Sequence, residues 1–488
     1  MLEKAAAQKG GGLFCAISQL HYVLDRMILY FPTLVHLHAV KDLVLVMDLQ
    51  MTQEMRKCFC IRAGAAALIA AAIWAHASTI ATNPPAEPLT RERVALLPPK
   101  ERSAWIEYLE ASTRQRQADK DFVRAELKRL GIEKPVEPPH GNSARSIPLD
   151  REAHSYASPD AQHIADVIVS FQTPAGGWGK NLDMSKELRR PSEAFTANNL
   201  SKFLSPGDFD SPMEPEWNYF GTVDNDATTT QMKFLAKVIH ATGIGNGSTY
   251  RKAFLRGMDY LFAAQFPNGG WPQVWPLEGG YHDAITYNDD AMAQVVDLMG
   301  HAADGKEEFS FVPQDVRDRA ARSFERGIEC ILASQIVVNG MPTVWPQQDD
   351  ALTLKPVSGR NYEMPAEATS ESASLMLLLM DDLPHPAAAE QRSIRTAAAW
   401  FKKTAIYNQR YERGPDGSRL VATPGAGPIW ARYYQIGTEI PIFGDRDKSI
   451  HDRVNEISRE RQNGYSWYSS ESQRALDRFE KWNVEHPE

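Results

Sequence analysis

Three arginines stand in settings that suit recognition rather than solvation. Arg360 falls in Pro356-Val-Ser-Gly-Arg-Asn-Tyr-Glu363, Arg432 in Pro428-Ile-Trp-Ala-Arg-Tyr-Tyr434 and Arg446 in Pro441-Ile-Phe-Gly-Asp-Arg-Asp447. Each has aromatics, Gly or Pro beside it, and none belongs to a charged helix face. Upstream lie two acidic clusters, Asp224-Asn225-Asp226 and Asn288-Asp289-Asp290. A guanidinium grips a carboxylate through two parallel hydrogen bonds. Carboxylate and amide oxygens, with no Cys or His nearby, suit Ca²⁺ over Zn²⁺. Together these residues describe a site for a polyanionic, carboxylate-bearing substrate. No EF-hand loop is present, so a cation site would be assembled from separate elements. Lys180, directly after Gly176-Gly-Trp-Gly179, is a loop cation aimed at the same cleft.

Each feature also has an ordinary explanation. Asp and Asn are favoured helix caps, and acidic residues favour the first helical turn. Arg360 has Glu363 or Glu367 for an ion pair, and Arg446 has Asp445 or Asp447. Arg432 has Trp430 or Tyr433 for cation–π contact. Lys180 reads equally as a solvated surface lysine. Trp178, Trp271, Trp275, Tyr281 and Trp345 are able to stack on sugar rings, but most of them read as packing residues. Other chemistries lack their motifs: the sequence has no phosphate-binding glycine loop, no zinc-protease His pair and no Gly-x-Ser-x-Gly elbow.

The elements that must position these residues are mostly helical. Apolar residues recur at helical spacing over 232–239, 250–262, 291–299, 316–331, 371–380 and 394–406. Alternating strand patterns are few. Gln172-Thr-Pro-Ala-Gly-Gly-Trp178 returns as Gln265-Phe-Pro-Asn-Gly-Gly-Trp271, and more loosely as Gln335 to Trp345, each after an amphipathic helix. Asn463-Gly-Tyr-Ser-Trp467 reads as a degenerate fourth copy. Gln is able to bond freed backbone groups at such a turn, and Trp to fill the seam between neighbouring units. Repeated helix ends of this kind predict helical hairpins stacked around an axis, an α/α toroid with some irregular and short strand segments.

The chain has 488 residues, enough for a large core, and is 43% hydrophobic and 24% charged, as soluble globular proteins are. Its net charge of −9 argues against nucleic acid as a partner. Residues 55–77 combine a basic start, a short apolar run and an Ala-x-Ala end, which predicts a secretory signal peptide. The expected division is a spurious extension over 1–50, a signal peptide over 51–77, a linker and peripheral helix over 78–150, and a catalytic domain over 151–488. The mature chain is then secreted or periplasmic after cleavage near Ala77, free of the membrane and monomeric. Cys15, Cys58 and Cys60 precede that cleavage, which leaves only Cys330, expected as a buried small hydrophobe in a helix.

The stretches Gln172–Asp183, Thr222–Thr230, Phe266–Met292, Trp345–Glu371 and Pro428–Asp447, in this order, resemble pectate lyases of polysaccharide lyase family 10. The resemblance implies calcium-dependent β-elimination of polygalacturonate, giving C4–C5 unsaturated products. It implies that Arg360 is the catalytic base, that Asp224 and Asp289 supply calcium contacts, and that Arg432 and Arg446 hold uronate carboxylates. Asp290 joins the metal set by adjacency. Asn225, Lys180 and Tyr362, the last in the Arg360 stretch, join the substrate contacts. Asp226 stands where a small residue is expected. Two rival readings stay open. One is an α/α-toroid glycoside hydrolase with Asp289 and Glu363 as acid and base. The other is a non-catalytic binder of acidic glycans.

Overall fold

The computed structural model describes residues 79–487 apart from 143–145, 244, 246–247, 384 and 416. The extension expected over 1–50 and the signal peptide over 51–77 lie outside the described residues. All described residues belong to one compact unit, Ala77–Glu488.

The helical periodicities all become helices. Those six are joined by the expected peripheral helix, by the helix before Gln172 and by one near the C-terminus that no periodicity marked, so that the longer helices are α1 (Pro99–Leu130), α2 (Pro159–Ser170), α3 (Thr229–Thr242), α4 (Thr249–Ala264), α5 (Ala291–Asp304), α6 (Gln314–Ser334), α7 (Thr369–Asp381), α8 (Ala388–Thr404) and α9 (Gln473–Glu485). From α3 to α8 consecutive helices pair as hairpins: α3 with α4, α5 with α6, α7 with α8. The rows are visible in the contacts. Helices α3, α5, α7 and α9 pack in succession, and so do α2, α4, α6 and α8. The first row is the inner one. Helix α3 buries Met232, Phe234, Leu235, Ala236, Val238 and Ile239, which cover most of its circumference. Helix α6 in the outer row is amphipathic, with Ala320, Ile328 and Ile331 inward and charged residues outward. This is the α/α toroid that the repeat predicts. Cys330 is buried in α6, as expected, and burial pushes its thiol up to about 12.

The repeat has a structural job in the outer row. Gln172 donates to Gly176 of its own turn (2.7 Å) and to Ala253 of α4 (2.8 Å). Gln265 donates to Gly269 (2.9 Å) and to Ser323 of α6 (2.9 Å). Gln335 donates to Thr343 (2.9 Å) and to Ser393 of α8 (3.2 Å). Each Gln therefore ties one outer helix end to the next outer helix. The tryptophans point back: Trp178, Trp271 and Trp345 donate their indole N–H to Ile168, Leu261 and Ile331 of the preceding outer helix. They are fully buried, so they pack and do not stack on sugars. Gly176 and Gly269 have φ of +109° and +96°, and a Cβ there would lie 2.5 Å from Arg256 O and 2.1 Å from Arg326 O. Only glycine fits these turns.

The fourth position of the repeat is not the expected Trp467, which bonds Arg461 within its own turn. After α8 the equivalent bond comes from Trp430, whose indole donates to Phe401 at 2.9 Å. No Gly-Gly pair precedes it, so the sequence does not mark it.

Every connection from an outer to the next inner helix is long (172–228, 265–290, 335–368 and 405–472), whereas links within hairpins are short. All four long loops thus emerge at one end. Short antiparallel pairs lace them together: Ile285–Thr286 with Gln348–Asp349, Glu367–Ala368 with Tyr433–Tyr434, and Trp430–Ala431 with Tyr468–Ser469.

The linker and peripheral helix expected over 78–150 are integral parts of the unit from residue 79 onward. In α1, Trp105 packs 5.3 Å from Phe266, and Tyr108 donates to Ala264 at 3.0 Å. Ala81–Thr82 pairs with Ser449–Ile450 as an edge strand. Proline content marks a chain without a long helix of its own; here that chain makes one helical turn, Arg91–Val94, and is pinned on the body.

Candidate active site

The two acidic clusters sit where the sequence places them, at the N-termini of inner helices α3 and α5. They do not act as plain caps. Neither Thr228 nor Asp290, the cap residues, makes a side-chain cap bond. Both clusters are tight turns with consecutive positive φ: Asn225 (+52°) and Asp226 (+58°), Asp289 (+49°) and Asp290 (+61°). Non-glycine residues held this way cost energy and gather at functional sites.

The turns touch. Asn288 donates its amide to Asp224 (3.1 Å) and to Asp289 (2.8 Å). Asp224 also accepts from Gln273 at 2.9 Å and is ion-paired with Lys180. Burial opposes ionisation of Asp224, but the Lys180 charge and these bonds outweigh it and hold the carboxyl below its ordinary range. The other carboxylates differ. Asp226 is pushed up to about 6 by burial and by the charges of Asp290 and Asp289. Asp289 is raised by burial and by Asp224, and Asp290 chiefly by burial. None of the three has an ion-pair partner among the described residues.

From Asn288 a polar chain runs to Arg360. Gln347 donates to Asn288. The Tyr433 hydroxyl donates to the Gln347 side-chain oxygen Oε1 at 2.5 Å and lies 2.7 Å from the Tyr465 hydroxyl. Tyr465 donates to Glu363 at 2.8 Å. Glu363 accepts from Arg360 three times: from its backbone N–H (2.8 Å), Nε (3.0 Å) and Nη2 (2.5 Å). Glu363 is thereby lowered to about 2, because the Arg360 charge and bonds overcome its burial. Arg360 is held firmly charged against its own desolvation, mainly by Glu363. The ordinary ion-pair reading of Arg360 is thus realised. It still leaves the side chain 32% exposed, with Nη1 unpartnered among the described residues.

Arg360 opens into a cleft of about 390 Å³ that Lys180, Asn225, Tyr362 and Arg446 also line. Five of the nine expected site residues thus converge from three of the long loops. Arg446 is paired with Glu460, not with its sequence neighbours, at 2.7 Å, and lies 4.4 Å over Phe203 and 5.4 Å over Tyr362. Arg432 does not line the cleft. Its side chain is 11% exposed, paired with Glu371 at 2.6 Å and set 4.8 Å from the Tyr465 ring. Asp224, Asp289 and Asp290 also lie outside the lining, and Asp289 feels the charges of both Arg432 and Arg360.

Sequence reasoning missed Tyr465, Glu371, Gln273, Gln347 and Asp210. Tyr465 stood in a segment already singled out, as a supposed repeat copy. Asp210 lines the cleft with a buried oxygen that lacks a hydrogen-bond partner, and burial pushes its carboxyl up to about 6. Nothing in its surroundings, Phe209-Asp-Ser211, would have marked it.

Solved structures share this architecture. A family 10 polysaccharide lyase from Cellvibrio cellulosa matches with a TM-score of 0.58 and 28% identity, over 70% of this chain and 99% of that one. An aspartate-to-alanine mutant of a family 10 polysaccharide lyase from Cellvibrio cellulosa, in complex with trigalacturonic acid, matches with a TM-score of 0.57 at the same identity and coverage. Comparison with curated proteins finds no match. Fold and likeness together define the class, an α/α-toroid polysaccharide lyase. The pectic acid lyase family model matches residues 172–476, well over half of the chain. The chain belongs to the pectic acid lyase family and is a pectate lyase.

Proposed function

We propose that this chain cleaves polygalacturonate by calcium-dependent β-elimination, leaving C4–C5 unsaturated oligogalacturonides. The observation that carries the reading is the convergence of Lys180, Arg360 and Arg446 on one cleft beside two crowded acidic turns. The substrate class agrees with the trigalacturonic acid bound by the similar mutant lyase.

The acidic turns fit a calcium ion. Their donors are all oxygen, and burial together with the neighbouring carboxylates raises the carboxyls of Asp226 and Asp289 despite nearby cationic side chains. Among the described residues no three such side chains already converge on one point, so substrate oxygens would complete the coordination. Asp224 and Asp289 would hold the ion, with Asp226 and Asp290 beside them. When bound, calcium supplies positive charge next to the uronate carboxylate and so stabilises the carbanion character that develops at C5.

The chain's own residues do the rest. Lys180 and Arg446 bind uronate carboxylates at the cleft wall, and Arg432 supports that wall from behind Tyr465. Tyr362 and Asn225 shape the floor. Arg360 takes the C5 proton. The C–H electron pair becomes the C4–C5 double bond, the C4–O4 bond breaks, and the leaving oxygen takes a proton from water. A guanidinium must first lose a proton to act as base, and Glu363 opposes that loss. Its own desolvation and the like charge of Arg461 favour the neutral form, as does alkaline pH. Activity is therefore expected to rise steeply towards alkaline pH. The leader expected over 51–77 is the support for action outside the cytoplasm.

The test is absorbance of unsaturated uronide during incubation with polygalacturonate at alkaline pH, with calcium and with a chelator. A calcium-dependent rise is expected. New reducing ends without absorbance would mean hydrolysis, and neither signal would leave a glycan-binding protein. A neutral optimum, with Arg360→Lys at full rate, would remove Arg360 as the base.

A further inference from the structure

Asn83 lies 89 residues before the start of the family match at 172, in the segment whose composition reads as linker. It is 1% exposed. Its amide Nδ2 donates towards three backbone carbonyls of one turn: Arg360 (3.2 Å), Asn361 (2.9 Å) and Glu363 (3.2 Å). Its Oδ1 accepts from the Ser358 hydroxyl at 2.7 Å. Thus one side chain occupies the inside of the turn that presents Arg360.

The same arm reaches the second cleft arginine. Asn83 donates its backbone N–H to Lys448 (2.7 Å) and Ile80 to Ile450 (2.8 Å). Ala81–Thr82 extends the sheet formed by Ser449–His451 and Phe443–Gly444, and Arg446 lies in the turn between those two strands. Asn361 closes the loop by donating to the Arg446 carbonyl at 2.6 Å. Three carbonyl oxygens facing one another repel unless a donor sits among them. Within the turn itself the Arg360 carbonyl accepts from the Glu363 N–H (2.8 Å) and the Glu363 carbonyl from the Gly359 N–H (3.0 Å); the arm adds one side-chain donor shared among all three carbonyls, that of Asn361 included.

We propose that Asn83 is a positioning residue for the reaction, and that the N-terminal arm is a brace that fixes the Arg360 and Arg446 turns in their working geometry. The proposal rests on the lyase reading for its kinetic consequence, but not for its structural one. A turn freed of its brace lets the Arg360 head drift, and misplacement of a reacting group by about 1 Å costs on the order of 100-fold in rate. The loss belongs in kcat, since binding draws on several other contacts while proton transfer needs one geometry.

The experiment compares the full chain with Asn83→Ala, Asn83→Asp, Ser358→Ala and Tyr108→Phe. Tyr108→Phe removes a buried hydrogen bond of the same N-terminal region at a residue that does not line the cleft, so it controls for general loosening. Kinetics on polygalacturonate are read beside amide hydrogen exchange of residues 358–363 and of the Arg446 turn. Expected are a fall in kcat of roughly 10- to 100-fold for Asn83→Ala with KM within about threefold, and faster exchange confined to the two turns. Asn83→Asp should not rescue, because a carboxylate faces the same three carbonyls. Tyr108→Phe should keep kcat within about twofold. If Asn83→Ala does not fold, Ser358→Ala is read instead, with a smaller effect in the same direction. Unchanged exchange at 358–363 overturns the brace. Faster exchange with unchanged kcat overturns the positioning role. If the unmodified chain shows no lyase activity, the lyase reading has failed, and exchange alone then decides the brace.

Discussion

Substitution of Glu363 by Gln tests whether one buried carboxylate governs both the stability of the site and the acidity of Arg360. Glu363 is buried and accepts four hydrogen bonds, three from Arg360 and one from Tyr465. Its carboxyl falls from 4.5 to about 2 on folding. At ~1.4 kcal/mol per pH unit that is about 3 kcal/mol of stability. Arg360 is a third exposed, so water recovers part of this in the variant, and a loss of about 2 kcal/mol at neutral pH is expected. The sign follows from the lowered carboxyl. The contribution is complete above about 4.5 and is lost as pH falls towards 2, so the variant and the unmodified chain should converge in acid. Urea unfolding at pH 7 and pH 3 reads both. Kinetically, Arg360 loses the partner that holds its proton. The alkaline rise of kcat should therefore move to lower pH, while its ceiling falls because the fork is no longer oriented. A profile with its rise in the same place would refute Arg360 as the base whose proton Glu363 retains. Equal stability at pH 7 and 3 would refute the strength of the pair.

Calcium should raise the melting temperature of the folded chain and a chelator should lower it. At 100 times Kd the stabilisation is about 2.7 kcal/mol. Asp226→Asn should stabilise the calcium-free chain, since it removes a carboxylate that folding pushes up to about 6, and should weaken the calcium response; an unchanged response would exclude Asp226 from the ion's surroundings. Gly269→Ala should cost at least about 2 kcal/mol in urea unfolding, because its positive φ and the Arg326 carbonyl both refuse a Cβ. A loss below about 0.5 kcal/mol would show that the turn can shift.

The helical periods and the Gln…Gly-Gly-Trp turns contained the toroid, because amphipathic spacing and glycine-only turns are local properties that each segment expresses by itself. The residue types of Arg360, Arg446, Lys180 and the two acidic clusters were legible for the same reason: hard-oxygen and guanidinium chemistry is written in the side chain. Their companionship was decided only by the tertiary structure. Outer-to-inner connections all leave one end of the toroid, so residues from loops up to some 270 positions apart meet there. Which carboxylate each arginine takes also depends on that meeting. Arg446 passes over Asp445 and Asp447 for Glu460, and Arg432 finds Glu371 on α7. The arm over 79–98 shows the limit most plainly. Proline tells the chain to be neither a long helix nor a central strand, but an edge strand and a buried amide are defined by their partners, and those partners lie more than 270 residues downstream.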